Sequence, residues 1–104
     1  MTRIAYTVIA TFPDQATMNE WVAWLEDGHV DEVIARGAHS AMIVKLEREK
    51  PTDPLRAEAR YVFSTRENYD KYIREFAPAL RADGLKRFPP ERGIGFQRTV
   101  GVIV

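Results

Sequence analysis

"AHSAMIVKLEREKPTDPLRAEARYVFS", residues 38–64, holds two alternating runs joined by a proline-bearing link. In "AHSAMIVKLERE" Ala38, Ser40, Met42, Val44 and Leu46 alternate with His39, Ala41, Ile43, Lys45 and Glu47. In "LRAEARYVFS" Leu55, Ala57, Ala59, Tyr61 and Phe63 alternate with Arg56, Glu58, Arg60 and Val62. A strand sends successive side chains to opposite faces, so both segments read as strands. The "KPTDP" between them carries two prolines, which a paired strand interior does not accept, and it reads as a turn. Two strands on a short link form an antiparallel hairpin.

Upstream, "RIAYTVIATF" at 3–12 is a further strand with Ile4, Tyr6, Val8, Ala10 and Phe12 on one face. Between it and the hairpin, Met18, Trp21, Val22, Leu25 and Val33 fall at helical spacing, with His29 on the same stripe and Trp24 at its flank. Asp14, or Thr17 with Glu20 three residues on, starts this helix. Gly28 predicts a break before "HVDEVIAR", and Gly37 an end. Downstream, "STRENYDKYIREFAPALRADGLKRF" predicts a second helix, opened by Ser64 with Glu67 and striped by Tyr69, Tyr72, Ile73, Phe76 and Leu80. Pro78 restarts it near Ala77, and Gly84 suits its end. "FPPERGIG" is loop, and "FQRTVGVIV" a last strand.

The order β-α-β-β-α-β, with a tight link only in the middle, predicts an α+β, ferredoxin-like βαββαβ domain over residues 1–104: a four-stranded antiparallel sheet with two helices on one face. The opposite sheet face is only partly polar, with Ala5, Thr7, Ile9 and Thr11 on strand one. The last strand ends in Val100, Gly101, Val102, Ile103 and Val104 with no lysine or proline to discourage pairing. Burying that surface against a second copy predicts a homodimer through the sheet faces.

Composition narrows the class. The chain has 104 residues, 45% hydrophobic and 29% charged, which fits a soluble globular domain rather than a fibrous, disordered or membrane-spanning one. With no cysteine there is no disulfide framework, thiolate metal site or thiol nucleophile. Residues 1–35 carry one basic and six acidic side chains, and the rest balance them to a net charge of zero. A neutral total provides no electrostatic footprint for nucleic acid. "MTRIAYTVIATFPD" lacks the apolar run and cleavage site of a secretory signal, so a cytoplasmic location is expected.

The W-x-x-W-L, H-x-x-E-V, A-P-A-L-R and K-R-F segments, with the late "FQRTV", together resemble a bacterial domain-of-unknown-function family of the dimeric α+β barrel superfamily. The resemblance runs over nearly the whole chain and implies a ferredoxin-like protomer that pairs through its sheets. The wider superfamily includes cofactor-independent monooxygenases of aromatic polyketides, haem-degrading enzymes, muconolactone isomerase-like proteins and ligand-binding regulatory domains. Its haem-degrading members use an asparagine, a tryptophan and a histidine. Strand one here has no asparagine, and the only histidines are His29 and His39, so no haem is expected.

Six residues are candidates for chemistry. His29, beside aromatic residues, has the side chain best matched to proton transfer near neutral pH, and would act as a general base; its other reading is a helix-break residue bonded to a backbone carbonyl. Trp21 and Trp24 could wall a slot for a planar molecule or pack in the core. Arg98, alone among apolar positions, must reach solvent or find a partner, either a substrate carboxylate or enolate or a protein acid such as Glu58. Tyr6 and Tyr61, on facing strands, could offer hydroxyls to the same cavity. "EDGHVDE" has no second histidine at metal-ligand spacing, and no phosphate loop or G-x-S-x-G elbow is present, so neither a metal nor another cofactor is expected. Two functions fit. One is a dimer that binds a small apolar or aromatic molecule between sheet and helices, with oxygenase or isomerase chemistry at His29. The other is a non-catalytic ligand-sensing or protein-interaction module.

Overall fold

The computed structural model describes residues 2–104. Its strands are β1 (Ile4–Phe12), β2 (Ser40–Lys45), β3 (Leu55–Phe63) and β4 (Gly95–Val102). They form one sheet in the order β2-β3-β1-β4, every pair antiparallel. This is the ferredoxin-like arrangement that the chain order predicts. Tyr6 lies opposite Tyr61 on β3 and Val100 on β4, and Val8 opposite Ala59 and Arg98. Ile4, Tyr6, Ala10 and Phe12 on β1 and Ala57, Ala59, Tyr61 and Phe63 on β3 are buried under the helices.

The hairpin is shorter on its first strand than the alternation suggests. β2 stops at Lys45, and Asp53 turns the chain by accepting hydrogen bonds from the backbone N–H groups of Glu49 (3.1 Å) and Lys50 (3.0 Å).

The first helical layer comprises α1 (Gln15–Trp24), a π-helical turn over Leu25–His29 and α2 (Val30–Ala35). Of the two possible starts, Asp14 is the cap: its carboxylate accepts from the Thr17 backbone N–H at 2.8 Å and from the Thr17 hydroxyl at 2.7 Å. The break falls at Gly28, whose φ of 121° is a conformation that side-chain-bearing residues avoid. The second layer is α3 (Arg66–Glu75) and α4 (Ala77–Arg87), divided at Phe76 ahead of Pro78. Its cap is Thr65, accepting from the Asn68 backbone N–H at 3.1 Å, rather than Ser64. Gly84 does not end α4: the helix continues to Arg87, and this glycine has a packing role described below.

The loop after α4 includes a short 3₁₀ turn, Pro90–Arg92, tied to α1 by an Arg92–Glu20 ion pair of 2.8 Å. Every residue of β4 is exposed, so the helical layers leave this edge strand bare. Among the described residues no helix is long and apolar enough to cross a membrane.

Candidate functional site

Between the sheet and the helical layers lies a cavity of about 200 Å³. Its floor is formed by Tyr6 and Val8 of β1, Ala59 and Tyr61 of β3, and Phe96 and Arg98 of β4. Trp21, Trp24 and Leu25 line it from the first helical layer, with His29 at the π-turn. Tyr72, Leu80, Arg81, Gly84, Leu85 and Phe88 line it from the second. All six residues singled out from the sequence therefore border one space.

Their positions differ. Trp21 is a buried core ring, tilted against Phe12 and Phe96 at centroid separations of 5.5 and 6.3 Å. Trp24 is only partly buried, and its indole stacks on the His29 imidazole at 4.0 Å and 21°. Phe88 meets Trp24 edge-on at 5.6 Å. On α4 the backbone at Gly84 passes so close that a Cβ there would lie 3.3 Å from the Trp24 Cη2 atom. A glycine at this point leaves room for the indole against the helix.

Burial drives the His29 pKa from 6.5 down to about 4, against the opposing charge of Asp83, so the ring is neutral at physiological pH. Asp83 borders the outer cleft on the far side of the Trp24–His29 pair and not the cavity itself. Among the described residues, none accepts a hydrogen bond that would tie the imidazole to the backbone.

At the other end the Tyr6 and Tyr61 rings stack at 6.0 Å and 25°, and Tyr6 also meets Tyr72 at 6.3 Å. The Tyr6 hydroxyl accepts a hydrogen bond from Arg81 Nη2 at 3.1 Å. Burial raises the Tyr72 pKa to about 12, while Arg81 and Arg98 both act on it in the opposite direction, so the two guanidinium groups share its neighbourhood. Burial likewise pushes the Tyr61 hydroxyl up.

Arg98 is exposed, lies 5.9 Å from the Phe96 ring centroid, and makes no ion pair with Glu58. Glu58 is instead 2.7 Å from Arg60 on its own strand. The register explains the correction: Arg98 is opposite Val8, which is opposite Ala59, so Arg98 belongs to the helix-facing side and Glu58 to the other.

The sequence reading missed Arg81, Gly84, Leu85 and Phe88 as a set. They recur at i, i+3, i+4 and i+7, one face of a helix, a pattern present in the sequence beyond the stripe that ends at Leu80. Among the described residues no three His, Asp or Glu side chains gather in a metal-holding arrangement.

Fold and cavity together define a ferredoxin-like α+β protein with an aromatic-walled space between sheet and helices. The chain belongs to the domain-of-unknown-function family DUF4286, whose model matches residues 3–103. No curated protein matches it. Among solved structures it is similar to two dimeric ferredoxin-like proteins from uncultured marine organisms. One is 15% identical with a TM-score of 0.73, covering 100% of this chain and 97% of that one. The other is 16% identical with a TM-score of 0.74, covering 99% and 95%. A cofactor-independent oxygenase from Streptomyces nogalater is more distant, at 8% identity and a TM-score of 0.56, covering 100% and 93%. At these identities the likeness is one of fold.

Proposed function

We propose that this protein is a homodimer that binds a small, planar, largely apolar molecule in the cavity between its sheet and helices. The observation that carries the reading is the cavity itself: a partly open space of about 200 Å³ walled by Trp24, Tyr6, Tyr61, Tyr72 and Phe88, with His29, Arg81 and Arg98 as polar groups on its lining. An apolar cavity of roughly 150 Å³ admits a benzene-sized molecule, so the space suits one ring rather than a polycyclic ligand. Trp24 and Tyr61 supply flat contact area, and His29 offers a neutral imidazole to a ligand hydroxyl.

Dimerisation is supported by the bare β4 edge, where Phe96, Val100 and Val102 are exposed, by Met42 at 58% exposure on the open sheet face, and by the dimeric ferredoxin-like proteins of similar fold. In this reading turnover is an added property of the pocket. A base is most effective when its pKa lies near the working pH. His29, held near 4, would deprotonate only an acidic ligand, and otherwise orients it.

Native mass spectrometry of freshly purified protein, followed by the same sample denatured, tests the proposal. The expected result is a species of twice the 11.9 kDa chain mass that carries a small molecule released on denaturation. A monomer would contradict the dimer, and a dimer that takes up no small aromatic compound would favour an interaction module.

A further inference from the structure

The cavity's charge is as one-sided as its shape. Two guanidinium groups, Arg81 and Arg98, border it, and no aspartate or glutamate does. Among the described residues neither arginine takes part in an ion pair. Arg81 comes from α4 and Arg98 from β4, so the chain brings them together from opposite walls of the pocket. Arg81 donates to the Tyr6 hydroxyl and to no carboxylate. Arg98 lies against Phe96, which orients the guanidinium without neutralising it. Four acids, Asp27, Glu32, Glu75 and Asp83, border the outer cleft behind Trp24 and His29 instead.

From this arrangement we propose that the ligand is a single-ring aromatic oxyanion, such as an aromatic carboxylate, seated with its ring between Trp24 and Tyr61 and its anionic group on Arg81 and Arg98. The inference rests on the pocket reading above and adds its charge class. A planar carboxylate accepts two parallel N–H donors from one guanidinium, so a pair of arginines can hold both oxygens while the ring stays on the aromatic walls. The Tyr72 hydroxyl, kept protonated at neutral pH by its burial, stands beside that group as a further donor.

The test is isothermal titration calorimetry at neutral pH with benzoate and with benzamide, its near-isosteric neutral counterpart, on the wild-type dimer and on the Arg98→Gln and Arg81→Gln variants. Benzoate is expected to bind about tenfold or more tighter than benzamide, as a charge-assisted hydrogen bond implies. Each variant should lose most of that preference, its benzoate affinity falling far more than its benzamide affinity. Raising the salt concentration should weaken benzoate and leave benzamide unchanged. Equal binding of the two compounds, or a preference that survives in both variants, would overturn the anion assignment while leaving the pocket intact. Binding of neither would remove the pocket reading along with it.

Discussion

The Trp24 indole and the His29 imidazole lie stacked, with ring centroids 4.0 Å apart and planes inclined by 21°. Both rings border the inner cavity on one side and an outer cleft with Asp27, Glu32, Glu75 and Asp83 on the other. The pair is thus a partition between an acid-free pocket and an acidic surface. Its position depends on two glycines. Gly28 gives the π-turn the backbone that delivers His29, and Gly84 leaves room for the indole on α4.

Charging His29 should cost stability. Its pKa in the folded protein, about 4, lies below the ordinary value of 6.5, so the unfolded chain binds the proton more readily. The contribution is therefore complete above pH 6.5 and is lost as pH falls through the range from 6.5 to 4. Solvent screening of this half-buried ring limits the loss to about 1–2 kcal/mol. Urea denaturation across this range should show the decline, and His29→Phe, which keeps a stacked ring, should flatten it. An NMR titration of His29 with a midpoint near 6.5 would contradict the account.

Gly84→Ala should not give the usual helix gain. An alanine in a helix interior is favoured over glycine by about 1 kcal/mol, but here its Cβ meets the Trp24 ring at 3.3 Å. Trp24 is held by His29 on one side and Phe88 on another, so it has little freedom to withdraw. We expect a stability change below about 1 kcal/mol, together with a shifted Trp24 indole resonance and weaker ligand binding. A clear stabilisation with that resonance unmoved would rule out the contact.

Gly28→Ala should be costly although the space around it is open. Nothing lies within 4 Å of a Cβ at this position, yet φ is 121°, and forcing a side chain into such backbone costs about 1–3 kcal/mol. Thermal denaturation should report the loss. A neutral effect would mean that the turn takes another shape in solution.

The cavity tyrosines set an alkaline limit. Burial raises Tyr72 to about 12 and pushes Tyr61 up as well, both above the ordinary 10.0. Their contribution is complete below pH 10 and is lost as pH rises from there towards the folded values. Absorbance at the phenolate band should therefore rise together with loss of structure above about pH 10, where unfolded tyrosines ionise. Complete ionisation of all four tyrosines of the chain in the folded state would contradict the burial.

The strands were legible because alternation is a local signal: the Leu55-to-Phe63 face of β3 can be read from nine residues, and it is the face that packs. Both helix breaks were legible for the same reason, since Gly28 and Pro78 act on their own backbone. What local pattern could not supply was phase across a break. Arg81 lies beyond the stripe that ends at Leu80, and Gly84 looked like a terminus because its reason for being glycine is Trp24, sixty residues earlier in the chain. The Arg98–Glu58 pairing failed similarly. β4 has β-branched residues on both faces, so only the register with β1 shows that the two side chains leave opposite sides of the sheet.

A titration of the protein with phenol, followed through the two tryptophan indole N–H resonances, reports directly on binding in the cavity. Both indoles border the cavity, but Trp24 is half-buried whereas Trp21 is buried against Phe12 and Phe96. The account predicts a saturable shift, larger for Trp24 than for Trp21, that is abolished when the cavity is filled by Leu80→Trp. Indole resonances that stay fixed up to the solubility limit of the probe would contradict a binding pocket at this site.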